Sequence, residues 1–139
     1  MEGGGTEEPR EAPGLRRELY LSLENRSGTS LSLMSFFLVS GAWHSQAPSG
    51  PPMQGTALHG GNVCCWGTYT SVPYTGLEGG MMLQGADGWG QLALNWTWEY
   101  GGHASVTGTL NIPNLVATIK VTEEGYSQAT ARIVLTDSV

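Results

Sequence analysis

Gln91-Leu92-Ala93-Leu94-Asn95-Trp96-Thr97-Trp98-Glu99-Tyr100 is the stretch whose reading decides the fold. Leu92, Leu94, Trp96, Trp98 and Tyr100 recur every second residue and alternate with Gln91, Ala93, Asn95, Thr97 and Glu99. Side chains alternate between the two faces of a strand, whereas a helix repeats every ~3.6 residues. The run therefore predicts a half-buried strand, and Gly101-Gly102 ends it. The same period appears on either side. Upstream, Leu19, Leu21 and Leu23 alternate with Tyr20, Ser22 and Glu24, and the turn Asn25-Arg26-Ser27-Gly28 follows. Leu31 and Leu33 open another run, which continues through Phe36-Phe37-Leu38-Val39. That second half is continuously apolar and ambiguous by periodicity alone. Short strands are expected at 56–58, 63–69 and 81–84, and Ala86-Asp87-Gly88 signals a hairpin. Downstream, 106–110, 115–122 and 128–135 complete the set. The prediction is an all-β, single-domain β-sandwich of about eight or nine mostly antiparallel strands.

Composition fits that class. The 139 residues suffice for one domain with its own core, and the 21 glycines suit many tight turns. Residues 1–17, rich in Gly, Glu, Pro and Arg, read as a disordered lead-in to a domain spanning 18–139. The net charge is −6, with a single lysine, Lys120, and no basic patch. Nucleic acid is therefore not an expected partner, because binding it rests on displacing counterions with clustered cations. No run of apolar residues approaches the ~18 needed to span a bilayer as a helix. The start of the chain lacks the basic and apolar regions of a secretory signal, so synthesis in the cytoplasm is expected, with action at target membranes after non-classical release. Cys64 and Cys65 are adjacent in a predicted strand and point to opposite faces, which favours two reduced thiols over a strained vicinal disulfide.

Catalytic chemistry finds no support. His44, His59 and His103 are scattered across turns, and no serine sits in a Gly-x-Ser-x-Gly elbow. His59 with Cys64-Cys65 matches no zinc spacing, so neither a metal nor another cofactor is expected. Gly85-Ala86-Asp87-Gly88-Trp89-Gly90 opens onto a strand, and so lacks the helix N-terminus that phosphate loops use. Asn25-Arg26-Ser27 and Asn95-Trp96-Thr97 match the glycosylation pattern only by coincidence on this reading.

The aromatic residues carry the functional reading. Five tryptophans stand at Trp43, Trp66, Trp89, Trp96 and Trp98, with Tyr74 and Tyr100 nearby in sequence. Trp96, Trp98 and Tyr100 serve equally well as core filling or as a recognition face. Trp43 and Trp89 sit among loop residues, where exposed rings mark surfaces for lipids, sugars or proteins. The candidate ligand-binding set is Trp43, Trp89, Trp96, Trp98, Tyr100 and Tyr74.

The motifs around these residues resemble a known family. They are Leu23-Glu24-Asn25-Arg26-Ser27-Gly28, Ser40-Gly41-Ala42-Trp43, Tyr74-Thr75-Gly76-Leu77-Glu78-Gly79 and Leu94-Asn95-Trp96-Thr97-Trp98-Glu99-Tyr100-Gly101-Gly102. Across residues 19–135 the order is similar to the aegerolysins, especially their insecticidal crystal-protein branch. The resemblance implies a β-sandwich that binds sphingolipids with sterol or ceramide phosphoethanolamine. It also implies a perforin-like partner that builds a pore, and membrane-facing roles for Trp43, Trp96 and Tyr100. Thr97 and Glu99 depart from the family's acid and proline, and its head-group lysine has no counterpart here. A second, weaker similarity is to the actinoporin-like sandwiches, through Asn25-x-Ser27-Gly28, Gly55-x-Ala57-Leu58 and Asp87-Gly88. That would imply phosphocholine recognition, but this chain lacks the tyrosine cluster and the amphipathic N-terminal helix. Two further readings stand beside a lipid-binding toxin component. One is a glycan-binding module. The other is a self-assembling or protein-interaction domain using Trp89 and Phe36–Val39, as a homo-oligomer for example.

Overall fold

The computed structural model describes residues 16–45, 50–125 and 127–138. Almost all of the expected lead-in lies outside them. Arg17, assigned to that lead-in from composition, belongs instead to the first strand.

The described residues form ten strands and no helix. They are β1 (Arg17–Asn25), β2 (Leu31–Ser40), β3 (Ala42–Trp43), β4 (Ala57–Leu58), β5 (Val63–Thr70), β6 (Leu77–Gly85), β7 (Gln91–Trp98), β8 (Ser105–Leu110), β9 (Leu115–Glu124) and β10 (Gln128–Asp137). The count exceeds the expected eight or nine because Ala42–Trp43, read as loop, pairs with Tyr69 and Thr68 of β5. Two five-stranded sheets result, in the orders β3-β5-β1-β10-β9 and β4-β2-β6-β7-β8. Every pairing is antiparallel except β1 with β10, which run parallel in the middle of the first sheet.

The core lies between the sheets. Along β1, Arg17, Leu19, Leu21, Leu23 and Asn25 all face inward. Leu19, Leu21 and Leu23 meet Ala129, Ala131, Ile133 and Leu135 of β10 and Leu92, Leu94, Trp96 and Trp98 of β7 in one buried cluster. The ambiguous apolar run is a strand whose phase changes. A register shift between Leu33 and Ser35 moves the inward positions from Leu31 and Leu33 to Phe36 and Leu38. Phe37 and Val39 are thereby turned outward and exposed. Close packing has a requirement at Gly79, where a Cβ would lie 2.7 Å from both the Phe37 carbonyl oxygen and the Trp96 ring.

The two outer faces differ in chemistry. On the outward phase of β1, β9 and β10 stand Glu18, Glu24, Lys120, Glu124 and Arg132. Across β2, β4, β6, β7 and β8 the only charged residue is Glu78. The motif Asn25-Arg26-Ser27 is an internal brace. Buried Asn25 donates through Nδ2 to the carbonyls of Thr29 (2.8 Å) and Leu58 (3.0 Å), and its Oδ1 accepts from Ser27 N–H and Oγ–H. A side-chain amide spent in this way has nothing left for a glycan. Cys64 and Cys65 are free thiols opposite Leu23 and Ser22, on the two faces of β5. Burial, together with the neighbouring Cys65, pushes the Cys64 thiol above its ordinary value.

Candidate functional site: an aromatic end with a buried arginine

The six aromatic residues expected to act together occupy four different places. Trp96 and Trp98 lie inside the sandwich, each 1% exposed, and the core-filling alternative describes them. Trp43 is half-buried on the short edge strand β3, wedged edge-on between Phe36 (6.0 Å) and Trp96 (5.8 Å). It is not the free loop ring that its neighbours in sequence suggested. Trp89 is 71% exposed in the β6–β7 hairpin, where its N–H is held by Asp87 Oδ1 at 2.9 Å.

Tyr74 and Tyr100 are at the opposite end of the molecule from Trp89. The β6–β7 hairpin runs from the Leu77–Trp98 pair to the Gln84–Gln91 pair, so its tip is ~25 Å from the end where β7 stops. β7 stops two residues earlier than its period implied. Glu99 to Gly102 form a turn closed by Gly102 N–H to the Glu99 carbonyl (2.9 Å), which releases Tyr100 from the inward face. The Tyr100 ring meets Tyr74 edge-on, with centroids 5.1 Å apart. Tyr74 follows Pro73 in the β5–β6 connection and holds φ at 63°, a left-handed conformation that costs a residue bearing a Cβ ~1–2 kcal/mol. The strain sets its ring outside the sheet, 76% exposed. Val72, in the same connection, is 58% exposed, and Val39 reaches the same end along β2.

Behind this pair sits a residue that composition concealed. Arg17 is 5% exposed and packs against the rings of Trp98 (5.0 Å) and Tyr100 (5.3 Å). Its Nη1–H donates to the Glu99 carbonyl at 2.8 Å. The signal was available, since Arg17 lies two residues before Leu19 on the inward period. Beside it opens a cavity of about 400 Å³ lined by Arg17, Trp98, Gly101, Gly102, His103, Glu123 and Gly125. Trp98 Nε1–H donates to the Gly102 carbonyl at 3.1 Å and holds the wall in place. Glu123 Oε2 accepts from Ala104 N–H at 3.0 Å and stands 3.2 Å from His103 Nδ1. The site thus combines exposed rings, a buried cation and a pocket with glycine walls. These are the means to bind a ligand. Among the described residues, no group of three His, Cys, Asp or Glu side chains stands close enough to hold a metal ion.

Known proteins match this architecture at the level of the fold. No family model matches the sequence, and no curated protein matches it. Among solved structures, the lipid-binding protein Nakanori superposes with a TM-score of 0.69 at 9% identity, over 86% of this chain and 70% of that one. The RahU protein, solved in complex with a TRIS molecule, gives 0.66 at 9% identity, over 87% of this chain and 95% of that one. The shared architecture agrees with the all-β sandwich read from the sequence period.

Proposed function

We propose that this protein binds membrane lipids through the end that carries Val39, Val72, Tyr74 and Tyr100. The observation that carries the reading is the strained, outward-held Tyr74 in contact with Tyr100. Amphipathic rings on loop tips suit the boundary between head groups and acyl chains. Folded resemblance to a protein described as lipid-binding adds support. In aegerolysin fashion, the ligand would be a sphingolipid with sterol, and pore formation would fall to a perforin-like partner.

Co-sedimentation with vesicles of phosphatidylcholine alone, of sphingomyelin with cholesterol, and of ceramide phosphoethanolamine with cholesterol tests this. Binding is expected to one of the sphingolipid mixtures. Tyr74→Ala and Tyr100→Ala should each weaken it about tenfold, the scale of one partly buried ring, while Trp89→Ala leaves it unchanged. Sedimentation with no composition would sink the reading. Haemolysis assayed with and without a perforin-like protein separates recognition from pore formation.

A second reading is self-association through the sheet that carries Glu78 as its only charge, where Met34, Phe37 and Val39 are exposed. A face with a single charge opposes a copy of itself with little repulsion. Mass measured by light scattering across a concentration series, for the parent and for Phe37→Ser, decides it.

A further inference from the structure

We infer that the cavity beside Arg17 is a site for an oxyanion, a phosphate or sulfate group, held by the Arg17 guanidinium. The inference deepens the lipid reading and rests on it only for the source of the oxyanion, a lipid head group or a free ion.

A charged side chain that is 95% removed from solvent normally has a counter-charge, because desolvation costs several kcal/mol per ion. Arg17 has none among the described residues. One N–H reaches the neutral Glu99 carbonyl, and the rings of Trp98 and Tyr100 offset part of the charge. The guanidinium has five donors in a planar fork that matches two oxygens of a tetrahedral oxyanion. Its other N–H groups have no partner among the described residues, and the residue lines the cavity.

Among the described residues, Glu123 is the one carboxylate on the cavity wall, and it is engaged elsewhere. Its Oε2 takes the Ala104 N–H and faces His103, and no ion pair links it to Arg17. The remaining walls are mainly glycine, and a Cβ added at Gly101 or Gly125 would meet nothing within 4 Å. The space of about 400 Å³ falls in the range of small-ligand pockets. The site lies within the same end as Tyr74 and Tyr100, so an oxyanion on a lipid could enter while the rings meet the bilayer.

Phosphate and sulfate are titrated into ¹⁵N-labelled protein at constant ionic strength, with chloride as control, while the Arg17 Nε–H and Trp98 indole resonances are followed. Saturable shifts with phosphate or sulfate and none with chloride are expected. Arg17→Lys, which keeps the charge and loses the fork, should weaken binding about tenfold. Glu123→Gln, which keeps an acceptor for Ala104, should tighten it about threefold. Linear shifts, or equal affinity in Arg17→Lys, overturn the site, and the Glu123→Gln measurement decides the matter if Arg17→Lys does not fold. The same variants are then sedimented with sphingomyelin–cholesterol vesicles and with vesicles in which glucosylceramide replaces sphingomyelin. Loss of sphingomyelin binding in Arg17→Lys assigns the oxyanion to the head group. Unchanged vesicle binding beside a lost phosphate response assigns it to a free ion. A phosphate response from a protein that sediments with no vesicle upholds the site and removes the membrane reading.

Discussion

Tyr74 shows how one residue can serve function against local stability. Its φ of 63° suits asparagine better than tyrosine, since a short polar side chain tolerates the left-handed region. Tyr74→Asn should relieve ~1 kcal/mol of strain and forfeit a ring contact with Tyr100 worth a similar amount. Urea unfolding is expected to find the variant within ~0.5 kcal/mol of the parent, while its affinity for vesicles falls. A large loss of stability would mean that the ring braces the loop instead of serving an outward purpose. Residues of this kind were only partly legible in the sequence. The period of two told which side chains of β7 share a face, but not that the face ends at Trp98. The Glu99–Gly102 turn sends Tyr100 to the surface, and turns at strand ends are set by tertiary hydrogen bonds. Arg17 was hidden for the opposite reason: its charge and its glycine- and proline-rich neighbours suggested solvent, although its phase with Leu19 pointed inward.

At the scale of elements, the two-residue strand β3 raises the question of what holds so short an edge. His44, just after it, donates its backbone N–H to the Gly67 carbonyl at 2.7 Å. Its ring packs beside Tyr20 and Tyr69, and its Nε2 lies 3.2 Å from the Tyr20 hydroxyl. That hydroxyl donates to Glu18 Oε1 at 2.7 Å, and Arg16 donates to Glu18 Oε2 at 2.6 Å. Burial raises the Glu18 pKa, but hydrogen bonds from Arg16 and Tyr20 outweigh it and leave the carboxyl below its ordinary value of 4.5. The stability this provides is complete above that ordinary value and is lost as the pH falls through the lower folded-state value. Burial first, then the bond to Glu18, pushes the Tyr20 hydroxyl up to about 12 from its ordinary 10.0. Its contribution is complete below 10.0 and disappears as the pH rises toward about 12. Glu18→Gln should therefore flatten the acid side of a stability–pH profile, and Tyr20→Phe the alkaline side, as read by denaturant melts across pH. β2 carries the other lesson about elements. Its apolar run could not be phased from sequence because the register shift after Leu33 exchanges the two faces within a single strand.

For the whole molecule, the decisive pairing joins the two ends of the described chain. β10 stands between β1 and β9, so the first sheet is completed only when the last strand arrives. Deleting 128–139 would strip β1 of one neighbour and uncover Leu19, Leu21 and Leu23. Such a truncation should lose the cooperative thermal transition and bind a hydrophobic dye, whereas a retained sharp transition would contradict the topology. Because this pairing is distant in sequence, refolding of the full chain is expected in milliseconds to seconds, the range for sandwiches rich in non-local contacts. Strand content and the sandwich class were readable from periodicity and turns. The parallel contact of β1 with β10 was not, because alternation fixes which face of a strand is buried but not which strand lies beside it.

The same parallel contact determines how the molecule can be handled. β1 starts at the aromatic end, whereas β10, running alongside it, finishes at the other. Ten residues of extended chain separate Gln128 from Asp137, a length of ~33 Å. A fluorophore, bead or surface tether joined after Asp137 would hold the molecule by its far pole, with Tyr74 and Tyr100 facing away from the support. The same attachment placed just before Arg17 would crowd the rings it was meant to report on.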